Sequence, residues 1–121
     1  MAKSNTGTVW ERTVRAVYEV NEFTVIRSAG SKGPADLIAW DESVVYLIQC
    51  KKESKKNNYK EDADRLRVVP VPKFQKWVKV LWIKRKRDVI VRYLGEEVHE
   101  DQDKHMSIGD INKRLKNNGS N

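Results

Sequence analysis

Apolar residues recur at helical spacing near the start of the chain. They follow one another at intervals of four, three and three positions, which places them on one face of a helix. These residues are Trp10, Val14, Val17 and Val20. The pattern predicts a helix from residue 8 to about residues 20–22. FTVIR, residues 23–27, then alternates in the manner of a strand with one buried face.

Two more strands are predicted after a loop. The loop, residues 28–35, holds two glycines and one proline, which disfavour regular structure and allow close approach of the backbone to another group. DLIAW and VVYLIQCK, residues 36–40 and 44–51, are separated by a tight connection, which indicates a hairpin. The second of them is apolar almost throughout, which is typical of a central strand covered on both faces.

The following part of the chain predicts a short helix and two strands. Residues 62–67 can form a helix, but Pro70 and Pro72 prevent its continuation. VKVLWIKRKR and DVIVRYL, residues 78–87 and 88–94, have the composition of two adjacent strands.

The remaining residues are polar, with at most a weak helix near residues 107–115. The order of elements is a helix, three strands, a crossover and two strands. It indicates one α/β domain with a mixed central sheet flanked by helices. We expect residues 8–95 to form this domain, with a flexible N-terminus at residues 1–7 and a polar C-terminal extension at residues 96–121.

Length and composition narrow the class of protein. The chain of 121 residues is long enough for one core and too short for two ordinary domains. Its single cysteine, Cys50, excludes an internal disulfide. We expect a cytoplasmic protein without a membrane partner, because no segment approaches the roughly 20 apolar residues of a membrane span.

Positive charge is concentrated in the middle of the chain. The formal net charge is +7, from 24 Lys and Arg against 17 Asp and Glu. Residues 51–92 alone hold 15 basic and five acidic side chains, whereas residues 96–103 hold five acidic and no basic ones. A basic segment of this kind favours a polyanionic partner such as DNA. A solvated lysine-rich surface is the alternative.

Three polar side chains are predicted to meet at one edge of the sheet. Gln49 and Lys51 share a face of their strand, roughly 7 Å apart, because successive side chains point to opposite faces. Asp36 begins the neighbouring strand and can lie beside them, although a plain turn role is an alternative. An acid, an amide and an ammonium suit metal-assisted phosphodiester hydrolysis. Oxygen ligands hold Mg²⁺, and a lysine orients the water or offsets charge in the transition state.

Glu11 on the first helix is the candidate for a second carboxylate. The segment from Thr8 to Glu11 also fits a capping box, in which the glutamate accepts a hydrogen bond from the N-cap N–H. The local sequence leaves both interpretations open.

Three segments taken in order resemble the archaeal-type Holliday junction resolvases of the PD-(D/E)XK nuclease superfamily. They are WERTVRAVYE, FTVIRSAGSKGPADLIAW and YLIQCKK. The resemblance covers residues 8–52 and includes the spacing, the Gly-Ser loop and the Asp-Leu-Ile strand. It implies a restriction-endonuclease-like core and paired, metal-dependent cleavage of four-way DNA junctions in recombination and repair. It further implies a homodimer and Mg²⁺, for which Mn²⁺ can substitute.

The same resemblance implies roles for individual residues. Asp36 would be the principal metal ligand, Glu11 the helix carboxylate near the metal, and Lys51 the lysine of the D/E-x-K motif. Ser31, or alternatively Ser28, matches the loop serine that approaches the scissile phosphate.

Gln49 departs from the family pattern, which has glutamate there. The resemblance then implies a ligand set of Glu11, Asp36, the Gln49 amide oxygen and the main-chain carbonyl of Cys50. We expect weaker metal binding rather than loss of activity. A second departure is RLRVVPVPKFQKW, residues 65–77, which replaces the longer helix typical of the family.

Basic residues around the motif are the predicted DNA contacts. They flank the loop or follow the motif: Arg27, Lys32, Lys52, Lys55, Lys56 and Lys60. Two other functions are compatible with the sequence. One is a nuclease of the same superfamily acting on a flap, a fork or a duplex. The other is a junction-binding protein that has lost catalysis through Gln49.

Overall fold

The structure, a computed structural model, describes the backbone of residues 2–28, 33–54 and 59–119. Side chains are described for residues 8–28, 33–54 and 59–116. Within these ranges the helices are α1 (Ala2–Val20), α2 (Lys60–Arg67) and α3 (Ile108–Gly119), with a 3₁₀ turn at Val98–Glu100. The strands in these ranges are β1 (Thr24–Arg27), β2 (Leu37–Trp40), β3 (Val45–Lys52), β4 (Trp77–Lys84), β5 (Asp88–Tyr93) and β6 (Gln102–Ser107).

The described strands form one mixed sheet in chain order, from β1 at one edge to β6 at the other. Among these strands β3 and β4 are the parallel pair, and the other neighbours are antiparallel. A parallel pair requires a crossover connection, which here includes α2. The hairpin of β2 and β3 and the interior position of β3 are both confirmed.

Helices cover both faces of the sheet. On one face α1 and α3 pack on a cluster that includes Val14, Ile48 and Ile111. On the other face α2 contributes Leu66 to a second cluster, which also contains Leu47 of β3. Consecutive residues of β3 therefore belong to opposite layers, as strand geometry requires. The predicted α/β class, with a mixed sheet flanked by helices, is confirmed.

Tryptophan hydrogen bonds fix α1 against β4. Trp10 Nε1 donates to the carbonyl oxygen of Trp82 at 3.1 Å. Trp82 Nε1 donates to the hydroxyl oxygen of Tyr18 at 3.0 Å. Buried indole N–H groups need such acceptors, so these contacts satisfy the polar atoms while the rings fill the core. The orientation of α1 over the sheet is set by these contacts.

Lys79 of β4 anchors the C-terminal end of α2. Its ammonium donates to the carbonyl oxygens of Arg67 and Val69 at 2.6 and 2.7 Å. The last carbonyls of a helix lack intrahelical partners, so a lysine is well placed to satisfy them. Burial lowers the pKa of Lys79, and the neighbouring Arg67 lowers it further. Together with buried Leu66, these bonds hold α2 on the sheet.

The start of α1 differs from the prediction. The helix begins at Ala2, so the predicted start at residue 8 is wrong. Thr8 lies inside the helix and cannot be its N-cap, and the capping-box interpretation of Glu11 is therefore also wrong. Once Trp10 and Val14 pack on the sheet, the helix is already nucleated. Extending it by one residue toward the N-terminus then costs little conformational entropy beyond what the new hydrogen bond offsets. The helix consequently extends through a polar stretch that contains no proline.

The polar residues after Gly95 also belong to the folded unit. β6 pairs along its whole length with β5, although the sequence analysis predicted no strand there. Most β6 side chains are exposed, as suits an edge strand, so backbone pairing holds β6 without apolar alternation. The helix predicted near residues 107–115 is confirmed as α3, whose Ile111 is only 1% exposed. The domain boundary predicted at residue 95 does not coincide with the end of the sheet or of the core.

No helix in the described ranges has both the length and the apolar character of a membrane span.

An ion pair ties α2 to the turn before β6. Arg67 donates from both terminal nitrogens to the two carboxylate oxygens of Asp101, at 2.7 and 2.9 Å. Asp101 also accepts the N–H of Gly95 at 2.8 Å. The two side chains are 12% and 13% exposed. The hydrogen bond from Arg67 lowers the pKa of Asp101, and the N–H of Gly95 lowers it further, against the opposing effect of burial.

Asp101→Asn should lower the free energy of unfolding by about 3 kcal/mol near neutral pH, because it removes the bidentate partner of the partly buried Arg67 guanidinium and leaves it with the longer contact to Asp64 at 3.8 Å. The pKa of Asp101 is lowered in the folded protein. Its contribution is therefore fully present above the unfolded-state pKa of about 3.9 and disappears as pH falls through the native pKa. Urea unfolding of both proteins across this range measures the difference. Asp103→Asn, which breaks the more exposed pair with Arg92, should cost about 1 kcal/mol or less. Equal losses for the two variants would contradict the expectation.

Candidate active site

Three hydrogen bonds hold Asp36 in place where the loop enters β2, two through its own backbone and one through its carboxylate. Its N–H donates to the carbonyl oxygen of Ile48 at 2.8 Å, and its own carbonyl oxygen accepts from Ser28 at 2.9 Å. One of its carboxylate oxygens accepts the N–H of Cys50 at 2.8 Å. The side chain is therefore fixed against the C-terminal half of β3. The predicted proximity of Asp36 to this end of β3 is confirmed.

The electrostatic environment of Asp36 combines burial with several nearby charges. Burial raises the pKa of its carboxyl, whereas the N–H of Cys50, then Lys51 and then Arg27 act to lower it. Asp62 adds a smaller effect that raises it. A partly buried carboxylate surrounded by cations and one further acid has the composition of a catalytic site rather than of a solvated turn.

Gln49 and Lys51 lie two and four residues after Leu47 in β3 and therefore point to the same face, which is the face that α2 covers. Both are partly buried. The ammonium of Lys51 lies 3.4 Å from a carboxylate oxygen of Asp62 in α2. The predicted shared face of Gln49 and Lys51 is thus present, with an acidic neighbour that the sequence analysis did not include.

The sequence contains part of the signal for Asp62. It lies four residues before Leu66, the fully buried residue of α2, and residues four apart share a helix face. A helix placed directly after the Gln-x-Lys strand and packed through Leu66 therefore directs Asp62 toward that strand. The orientation of α2 across the sheet could not be predicted from residue spacing, and this orientation decides which residue of β3 Asp62 meets.

Glu11 lies on the other side of the sheet edge, paired with Arg27. The Arg27 guanidinium donates to its carboxylate at 3.0 Å, with exposed side-chain fractions of 57% for Arg27 and 21% for Glu11. Burial raises the pKa of the Cys50 thiol well above its ordinary value, and the charges of Asp36 and Glu11 raise it further. Both carboxylates therefore act on the same point of β3, although Glu11 is engaged with an arginine.

A basic cleft of about 200 Å³ opens beside this ion pair. Its lining includes Glu11 and three arginines, Arg12, Arg15 and Arg27. Arginine presents several N–H donors to phosphate oxygens, so the cleft has the chemistry of a DNA-backbone contact. Arg12 and Arg15 were absent from the predicted DNA contacts. The sequence gives an indication of both. Arg15 lies four residues after Glu11 and three after Arg12, which are the spacings that bring side chains to one side of a helix.

The other predicted contacts lie apart from one another. Lys52 pairs in register with Lys84 and lines a hollow beneath α1 and α3. Lys60 is 72% exposed and pairs with Asp64 at 3.0 Å. Four predicted residues lie outside the described parts of the chain: Ser31, Lys32, Lys55 and Lys56. Their predicted roles stay predictions.

Comparison with known proteins identifies the relatives of this site. A family model described as archaeal Holliday junction resolvase (Hjc) matches residues 2–113. The match covers all the described site residues and nearly the whole chain. The chain belongs to the archaeal Holliday junction resolvase family.

Individual relatives cover different shares of their own length. The crossover junction endodeoxyribonuclease Hjc of Methanocaldococcus jannaschii is 44% identical over 66 residues, or 53% of this chain and 49% of the relative. The chain thus spans about half the length of this curated relative. The structure of Hjc, a Holliday junction resolvase from Archaeoglobus fulgidus, is 18% identical with a TM-score of 0.45. It covers 87% of this chain and 98% of that one.

The residues at the end of β3 fit a metal ion in their donor chemistry. The family is one of metal-dependent nucleases. In the described ranges no group of three or more His, Cys, Asp and Glu side chains is placed to hold a metal. Asp36, Glu11, the Gln49 amide and the Cys50 carbonyl are all oxygen donors, the type that hard cations take.

Cys50 offers a direct check on the geometry of this site. At about pH 8 its thiol should react with a disulfide reagent at least about 100-fold more slowly in the folded protein than in concentrated guanidinium chloride, because the raised pKa leaves little thiolate. Absorbance of the released thiol measures both rates in the same chain. A folded-state rate close to that of a free thiol would contradict the burial of the Cys50 side chain and the raised pKa of its thiol.

Proposed function

We propose that this chain is an endodeoxyribonuclease that resolves four-way DNA junctions by metal-dependent, paired phosphodiester hydrolysis. The observation that carries the proposal is the fixed position of Asp36. Its carboxylate accepts the N–H of Cys50 at 2.8 Å and lies within the electrostatic influence of Lys51. Membership of the resolvase family and the names of the relatives support the junction as the substrate.

The proposed ligand set consists of Asp36, Glu11, the amide oxygen of Gln49 and the main-chain carbonyl of Cys50. A bound Mg²⁺, or Mn²⁺ in its place, supplies Lewis acidity and lowers the pKa of a coordinated water. Asp36 needs no rearrangement for its role, because β3 already holds its carboxylate. Glu11 would hold the cation with a carboxylate that is paired with Arg27 at 3.0 Å in this structure.

The two basic side chains of the site have separate roles in this proposal. Lys51 lies partly buried on the face of Gln49, where its ammonium offsets negative charge that develops on the phosphoryl oxygens. Arg27 is more than half exposed and lines the basic cleft, so it contacts a neighbouring phosphate of the DNA backbone. For the serine that approaches the scissile phosphate, the proposal keeps Ser31, which lies outside the described residues, or alternatively Ser28.

A homodimer is part of the proposal. A four-way junction has paired strands that must be nicked symmetrically, and a single chain offers one site of this kind in its described residues. Two chains related by a two-fold axis present two equivalent sites. The other predicted DNA contacts stay part of the proposal, with Lys52 and Lys60 on separate described segments and Lys32, Lys55 and Lys56 outside the described residues. The mass of the protein in solution tests the dimer.

Asp36→Asn should abolish cutting and leave junction binding nearly intact. The amide lacks the charge that holds a divalent ion, so the cleavage rate should fall at least about 100-fold. Binding depends mostly on Lys and Arg contacts to phosphate and should change only a few-fold, with an unaltered dependence on salt. Gel assays with an immobile four-way junction and a matched linear duplex, in Mg²⁺ or in EDTA, measure cleavage and binding together.

Asp110→Asn is the matched control, because it makes the same exchange at an exposed position at the start of α3. It should cut as the unmodified protein does. Two results would refute the proposed function: no metal-dependent cutting of the junction, or equal cutting of junction and plain duplex. A different DNA structure cut in preference would keep the nuclease chemistry and change the substrate.

A junction-binding protein without catalysis is the second candidate, and Gln49 is the observation that favours it. A site with an amide in place of a carboxylate has one fewer negative charge for the metal. If binding is the whole function, the unmodified protein cuts no junction, and Asp36→Asn leaves its salt-dependent junction binding unchanged. The experiment above therefore separates the two candidates.

Gln49→Glu should preserve or raise cutting and should lower the Mg²⁺ concentration needed for half-maximal activity by about tenfold, because it adds a charged ligand. Metal titrations of the cleavage rate measure the shift. Gln102→Glu, the same exchange at an exposed position of β6, should leave the titration unchanged. Loss of cutting in Gln49→Glu with thermal stability intact would show that Gln49 is not a substitute ligand.

A further inference from the structure

Asp62 is a partly buried carboxylate for which the proposed chemistry has no role. It lies in the first turn of α2, and its side chain is only 16% exposed. Ala63 and Leu66, at 4% and 0% exposure, pack α2 against the sheet. Because Asp62 lies four residues before Leu66, its carboxylate is held between α2 and β3 rather than in solvent.

The ammonium of Lys51 is the charge partner of Asp62. The two charged atoms are 3.4 Å apart, and the Lys51 side chain is 28% exposed. Both groups also influence Asp36, Lys51 by lowering its pKa and Asp62 by raising it. Asp36, Lys51 and Asp62 therefore form one cluster that joins the end of β3 to α2.

The sequence explains why Lys51 needs a carboxylate from elsewhere. In the D/E-x-K pattern, an acidic side chain lies two residues before the lysine on the same strand face. Gln49 occupies that position here and is neutral. The lysine side chain has many rotamers and rests in one geometry only where something holds it. Asp62 supplies the charge from the helix that the strand lacks.

We infer that Asp62 is a positioning residue of this site, which holds the Lys51 ammonium beside Asp36 in place of the carboxylate that Gln49 lacks. The inference rests on the proposed nuclease function for its kinetic consequences. The placement of Lys51 itself is independent of that function and can be measured without DNA.

A purely structural ion pair is the competing explanation, and its size argues against it. A single contact at 3.4 Å, whose lysine is 28% exposed, contributes less to stability than the shorter, bidentate pair of Arg67 and Asp101. α2 is already held by Ala63 and Leu66 and by the two hydrogen bonds from Lys79 at its other end. Removing the Asp62 charge should therefore displace the Lys51 ammonium without loosening the helix.

Asp62→Asn should lower kcat for junction cleavage by about 10- to 100-fold, because displacement of a catalytic group by about 1 Å has effects of this size. KM for the junction should stay within about twofold, since Asp62 is an acid and makes no phosphate contact. The thermal midpoint should stay within about 2 °C of the unmodified protein. A structural role would instead lower the midpoint and leave kcat per folded molecule unchanged.

Two further variants test whether the carboxylate acts through Lys51. Asp62→Glu keeps the charge and should retain most of kcat. Gln49→Glu in the Asp62→Asn background returns a carboxylate to the strand face. The double variant should have a kcat at least about tenfold higher than that of Asp62→Asn alone. Asp64→Asn is the matched control, because it makes the same exchange in the same helix and breaks the pairs with Lys60 and Arg67, at 3.0 and 3.8 Å, instead of the pair with Lys51. Its kcat should match that of the unmodified protein.

A measurement without DNA separates this inference from the proposed function. Brief acetylation followed by mass spectrometry should show several-fold more labelling of Lys51 in Asp62→Asn, with unchanged labelling of Lys79. Unchanged labelling of Lys51, equal loss of kcat in Asp64→Asn, or equal loss in Asp62→Glu and Asp62→Asn would each overturn the inference. If the unmodified protein cuts no junction, the proposed function fails, and the labelling result alone decides the position of Lys51.

Discussion

The pairing of β3 with an antiparallel neighbour on one side and a parallel neighbour on the other determines the rest of this fold. A strand inside a sheet sends its side chains alternately into two layers, so Ile48 and Leu47 each need an apolar cover. The helices α1 and α3 cover one face. The parallel pairing with β4 requires a crossover, and α2 lies in that crossover on the opposite face. Both covers of β3 therefore follow from one strand-pairing pattern.

The candidate site arises where β3 leaves the core. The first residues of β3 are apolar because both faces of the strand are covered. Polar side chains occur only toward its C-terminal end, where they are partly exposed. There the backbone still supplies a donor, since the N–H of Cys50 reaches the Asp36 carboxylate. This hydrogen bond and the charge of Lys51 offset only part of the cost of burying that carboxylate, so the pKa of Asp36 stays above its ordinary value. The helix that covers this face brings Asp62 to Lys51, so the same packing that completes the core also completes the charge cluster.

Sequence patterns predicted the elements whose side chains are sorted by burial. α1 and β3 carry apolar residues at helical and strand spacing, because each packs on a core. β6 gave no such signal, since an edge strand with exposed side chains is held by backbone hydrogen bonds that leave no trace in residue type. Asp36 and Lys51 could be placed from strand alternation. Asp62 could not, because its position depends on how α2 lies across the sheet.

The charges that meet at the end of β3 show what the glutamine changes. In the proposed nuclease, leaving aside Arg12 and Arg15 of the adjoining basic cleft, three carboxylates and two cations give a formal charge of −1: Asp36, Glu11 and Asp62 against Lys51 and Arg27. With a bound divalent ion the formal charge becomes +1. With glutamate at position 49 and the same ion it would be zero. Gln49 therefore weakens the attraction for the ion and strengthens that of the loaded site for a phosphate. A site of this composition depends more on its DNA to retain the metal than one with the additional carboxylate does.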